Sequence, residues 1–177
     1  MACPFFMPVE KLENGTWPHP ARLPLGAGWS GRCTAPGHEG EIPAQTALEE
    51  FCNLGYAARC GRLPLDRAWD AVRFSVTSGA QIKRVQGSPS TGSKTNDCDG
   101  TRGLPNRIVQ LRYVCERDHQ PVENGRLEFD AGGARWVQRH PDDRVQKMAE
   151  CFMESHMARR KFQAADDGVR RTVIESA

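Results

Sequence analysis

The chain lacks a long apolar run: none approaches the roughly 18 residues that cross a bilayer as a helix. It also lacks a dominant charge. Twenty-four Lys and Arg stand against 22 Asp and Glu, a formal +2 at pH 7. Nothing in that balance demands nucleic acid or an acidic membrane as a partner. The opening "MACPFFMPVEKLENG" has no basic stretch followed by an apolar one, so it does not fit a secretory leader. The expectation is a cytoplasmic protein with no membrane partner. No internal repeat is visible. No two cysteines lie within the two-to-four-residue spacing of zinc ribbons and knuckles.

What is present is a chain of 177 residues, 38% hydrophobic and 26% charged, long enough for one domain with a real core. Its first 43 residues hold seven of the 12 prolines and six glycines, at 15, 26, 28, 31, 37 and 40. Proline removes ladder and helix donors, and glycine raises the entropic cost of ordering. Regular structure is therefore not expected there. Phe5, Phe6, Trp17 and Trp29 are interleaved, which a disordered linker would not carry. The segment reads as irregular but ordered, so something must offset a backbone entropy of about 1–2 kcal/mol per residue.

Pro43 suits the start of a short helix carrying Leu48, Phe51 and Cys52, with Gly55 as its stop. From Ala71 the period changes to two. "AVRFSVT" alternates Val72, Phe74 and Val76 against polar residues and predicts a half-buried strand. "QIKRVQ" is a weaker strand, and residues 87–106 form a polar loop. "RIVQLRYVCE" is the strongest strand, with Val109, Leu111, Tyr113 and Cys115 on one face. Asn124-Gly125 in "PVENGRLEF" predicts a hairpin turn, and "ARWVQ" an edge strand. A helix follows from Pro141, with Asp142 and Asp143 at its start and Val145, Met148, Ala149 and Phe152 on one face.

Seven cysteines in a reducing compartment give weight to metal binding or catalysis over disulfides. Cys3, Cys33, Cys52 and Cys60 all lie in the N-terminal third, with 29, 18 and seven residues between successive members. Four thiolates complete a tetrahedral zinc site or hold a [4Fe–4S] cluster. A metal closing these loops would supply the order that the Pro/Gly-rich segment does not obtain from hydrogen-bonded structure. The scattered spacing fits a cluster better than a single zinc ion. His19 and His38 are substitute ligand candidates. Cys115 and Cys151 fall on apolar faces and read as core residues, while Cys98 lies in the polar loop.

Three other patterns carry less. "GSPSTGSKT" (87–95) departs from the phosphate-binding loop because Ser93 separates Gly92 from Lys94 and no helix follows. Cys115 and His119 share strand parity and would make a Cys–His enzyme if the strand continued straight, but the intervening charges and nearby Pro121 predict that it ends. Arg107, Arg112, Arg117, Arg126, Arg135, Arg139 and Arg144 make the sheet region basic without a clean stripe, so a solvated face is the default.

The sequence thus predicts an α+β fold: a small, mainly antiparallel sheet over residues 71–138, packed by the C-terminal helix. Three regions are expected: an irregular metal-binding lobe at 1–65, the sheet and helix at 66–164, and a polar tail at 165–177. The leading functional expectation is a [4Fe–4S] protein with Cys3, Cys33, Cys52 and Cys60 as ligands. Its role would be electron transfer, redox sensing or structural support beside a protein partner. Four protein ligands leave no iron open to substrate. The alternative is a zinc-stapled module that binds protein or nucleic acid.

Overall fold

The computed structural model describes residues 2–12, 17, 23–54, 59–77 and 108–174, with side chains as far as Arg160. The strand expected at 81–86, the polar loop with Cys98 and the phosphate-loop-like stretch, His19, Gly55 and Arg107 lie outside the described residues. The architecture is mixed α+β, with two antiparallel sheets and a long C-terminal helix.

The first sheet corrects the expectation of an irregular N-terminal region. Strands β1 (Phe6–Lys11) and β2 (Trp29–Cys33) pair antiparallel, Phe6 opposite Cys33 and Lys11 opposite Trp29. Proline and glycine are accommodated inside this ladder. The register shifts between Pro8 and Glu10, and a bulge is where a strand tolerates a missing donor. Pro8 faces Gly31, where a Cβ would collide with the Met7 carbonyl and the Phe6 ring. Only glycine lets the two strands approach that closely.

A short helical segment follows: α1 (Gln45–Ala47) runs into a π-helical turn, Leu48–Cys52. Asn53 ends it. Its side chain is buried and fully used: Oδ1 accepts from the Trp29 N–H at 3.0 Å, and Nδ2 donates to the carbonyls of Trp29 and Leu48 at 3.0 and 3.1 Å. The π turn is thereby clamped to β2.

The second sheet has the order β3 (Ala71–Val76), β4 (Ile108–Arg117), β5 (Gln120–Asp130), β6 (Arg135–Gln138). The alternation read from the sequence holds for β3 and β4: Val72, Phe74, Val109, Leu111 and Cys115 are buried, and Arg73 and Arg112 are exposed. The hairpin turn sits elsewhere than expected. Arg117 pairs with Gln120, and the two-residue turn is Asp118-His119, with φ of 49° and 63°. Positive φ at both positions is the signature of the turn that matches strand twist. Asn124-Gly125 lies within β5 instead. There Gly125 sits under the Tyr113 ring, and a Cβ would come within 2.7 Å of it.

The free edge of β3 is met by the N-terminus. Ala2 and Val72 exchange both backbone hydrogen bonds, at 2.8 and 2.9 Å. Asp70, just before β3, accepts from Arg67 and from the Asp118 N–H at 2.7 Å, tying the hairpin turn back to the sheet.

Helix α2 (Asp143–Ile174) is capped by Asp142, whose Oδ1 accepts from the N–H groups of Arg144 and Val145. It packs against β1 and β3, with the Phe74 and Phe152 ring centroids 5.8 Å apart. The helix continues to Ile174, through most of the stretch read as a tail. One hydrophobic cluster joins Phe6, Trp29 and Leu48 to Val72, Leu111, Leu127 and Met148. Residues before and after position 65 therefore share a core. Among the described residues no helix is long and apolar enough to cross a membrane.

Candidate metal centre

Each of the four cysteines singled out by position is held by a different local device. Cys3 follows the Ala2–Val72 bridge. Its N–H donates to the Cys52 carbonyl at 3.1 Å, and its carbonyl accepts from Phe6 at 3.1 Å. Cys33 ends β2, where its N–H donates to the Glu41 carbonyl at 2.8 Å and its carbonyl accepts from Gly40 at 2.9 Å. The loop between them turns back through Gly37 and Gly40 at φ of 80° and 81°, angles that suit a residue without Cβ. Cys52 is the last residue of the π turn. The carbonyl of Cys60 accepts from Leu63 at 3.2 Å.

These four residues line one small cavity of about 20 Å³, walled by Phe5, Pro43, Phe51 and Leu63. Arg62 is the charged residue in the wall. Cys3, Cys33 and Cys52 are buried, and Cys60 is half-buried. Burial pushes the Cys3 thiol up to about 12, and the neighbouring Cys60 and Cys33 add to the rise. Burial likewise pushes Cys52 up to about 12, with Cys3, Cys60 and Cys33 opposing its ionisation and Arg62 favouring it. The four sulfur groups are thus close enough to sense one another's charge. Among the described residues, no group of three or more His, Cys, Asp or Glu side chains is arranged to hold a metal ion.

Arg62 is fixed at one end. Its Nη2 lies 3.1 Å from Glu41 Oε2, and the other oxygen of Glu41 lies 3.1 Å from His38 Nδ1. Its Nη1 is shut from solvent and has no acceptor among the described residues. Arg144 lies 5.0 Å above the Phe5 ring and is paired with Asp142 at 2.7 Å. Sequence reasoning passed over Arg62 and counted Arg144 only among the basic residues of the sheet region. The one signal for Arg62 is its place two residues after Cys60 in "CGRLP".

The remaining candidates stand apart. His38 engages Glu41 at the surface and does not line the cavity. Cys115 and Cys151 are buried in the core cluster, where burial holds both thiols near 12. For Cys115, Glu123 and Asp142 push in the same direction, opposite to what a nucleophile requires. The turn at Asp118-His119 also ends the strand parity that linked Cys115 to His119. Arg117, Arg135, Arg139 and Arg144 stand against Asp118, Asp130, Glu150 and Asp142, leaving a mixed surface. Comparison with protein families, curated proteins and solved structures finds no match to this chain.

Proposed function

We propose that this is a [4Fe–4S] cluster protein of the cytoplasm, with Cys3, Cys33, Cys52 and Cys60 each giving a thiolate to one iron. The N-terminal lobe, residues 1–65, wraps the cluster. The observation that carries the reading is that four cysteines from four separate chain segments line a single apolar cavity. Free cysteine ordinarily serves as a small core residue, and Cys115 and Cys151 do so. Cys3, Cys33, Cys52 and Cys60 instead meet on one cavity from separate parts of the chain, as the ligands of one metal centre would.

The cluster is favoured over zinc by the spacing of the ligands: Cys3, Cys33, Cys52 and Cys60 are separated by 29, 18 and seven residues, whereas structural zinc sites commonly pair ligands about two to four residues apart. A cluster has a body of its own and takes sulfur ligands spread around it. The apolar wall limits water, which tunes the potential. With all four irons ligated by protein, the role is one-electron transfer, redox sensing or structural support beside a protein partner, not substrate activation.

Anaerobic purification followed by iron, sulfide and zinc analysis tests this. The expected result is a brown protein with about four irons and four sulfides, absorbing near 400 nm and bleached by dithionite. Cys52→Ser loses the metal and Cys98→Ser keeps it. A colourless protein that stays free of iron after reconstitution with iron and sulfide overturns the reading. One zinc per chain would identify the zinc-stapled module instead.

A further inference from the structure

The cavity wall contains a charged group with an unused donor. Arg62 Nη1 is buried without an acceptor among the described residues, while Nη2 is anchored by Glu41. A donor shut from solvent without an acceptor is unfavourable, the more so when it is charged. The anchoring is specific to the site, because the Glu41 backbone carbonyl also holds the N–H of Cys33. One loop therefore fixes a thiol and a guanidinium on the same cavity. A simple surface pair with Glu41 accounts for Nη2 and leaves Nη1 unexplained.

We infer that Arg62 donates from Nη1 to a sulfur of the bound cluster and raises its reduction potential; this rests on the cluster reading above. The [4Fe–4S] core accepts one electron, passing from 2+ to 1+, with no bond made or broken. The added negative charge sits on a cluster whose sulfurs are hydrogen-bond acceptors. A cationic donor stabilises the reduced form more than the oxidised one, since charge-assisted hydrogen bonds strengthen with acceptor charge. Arg62 ligates no iron and acts on the cluster through this hydrogen bond alone.

The experiment uses the full chain, with dithionite as the electron donor. Wild type, Arg62→Leu and Arg62→Lys are first assayed for iron and sulfide, then titrated for potential at one pH. Arg62→Leu is expected to keep its cluster and to be about tenfold harder to reduce, a negative shift of about 59 mV for one electron. Arg62→Lys, which keeps the charge, recovers part of the shift. Pulsed electron paramagnetic resonance on reduced wild type carrying ¹⁵N-arginine should show nitrogen coupling to the cluster, and this readout stands even if Arg62→Leu fails to fold. A full iron content with unchanged potential in Arg62→Leu, or no nitrogen coupling in wild type, overturns the role of Arg62 alone. Wild type without iron and sulfide removes the cluster reading, and this inference with it.

Discussion

Asn53 offers the sharpest test of how the fold holds the site. It is 1% exposed and makes three side-chain hydrogen bonds, two to the Trp29 backbone and one to the Leu48 carbonyl. Asn53→Ala removes them all and leaves the buried Trp29 N–H without its side-chain acceptor. An orphaned donor costs about 1–3 kcal/mol, and each lost bond has a net worth of about 0.5–1.5 kcal/mol. Because these contributions overlap, the expected loss is about 3 kcal/mol. For a chain of this length 1 kcal/mol moves Tm by about 2–4 °C, so Tm should fall by about 6–12 °C. Calorimetry on anaerobic protein gives the shift, and on the proposed cluster reading iron analysis of the same sample should show reduced content, since Cys52 ends the turn that Asn53 clamps. Asn53→Asp sharpens the test. It keeps an acceptor for Trp29 but turns a carboxylate toward two carbonyls, which raises that carboxyl's pKa. A raised folded-state value stabilises at low pH and loses that stability as pH rises, so this variant should be less stable at pH 7 than at pH 5. A Tm within about 2 °C of wild type for Asn53→Ala would refute the clamp.

Two further outcomes follow from the packing. Gly125→Val puts a side chain into the Tyr113 ring, where even a Cβ lies within 2.7 Å; overpacking of this kind costs about 1–3 kcal/mol, and urea denaturation with no loss of stability would disprove the close contact. Cys115 and Cys151, away from the cavity, are held near 12 against an ordinary 9.0. Below about pH 9 both folded and unfolded chains keep these protons; above it the unfolded chain releases them first. Stability should therefore fall as pH rises from about 9 toward 12, by at most about 1.4 kcal/mol per unit for each thiol. Replacing both with Ala should flatten that slope in denaturation under reducing conditions, and an unchanged slope would sink the assignment.

What the sequence determined by itself was local. Alternation in "AVRFSV" and "RIVQLRYVCE" marked β3 and β4 because a strand with one buried face must repeat every two residues. Pro141, Asp142 and Asp143 marked the start of α2 to within two residues, because acidic side chains complement a helix N-terminus; the helix begins at Asp143, with Asp142 as its cap and Pro141 outside it. The position of Cys3, Cys33, Cys52 and Cys60 within one broken segment set them apart from Cys115 and Cys151. Tertiary pairing decided the rest. Asn124-Gly125 has the chemistry of a turn, yet the register that sets Leu111 against Leu127 moved the reversal to Asp118-His119 and left Gly125 beneath a tyrosine ring. Pro8 and Gly31 read as strand breakers, and a bulge and a close backbone approach made them part of β1 and β2. That Arg62 stands in the wall shared by four cysteines depends on contacts among residues 3, 33, 41, 52 and 62, and such distant contacts leave no period or spacing in the chain to be read.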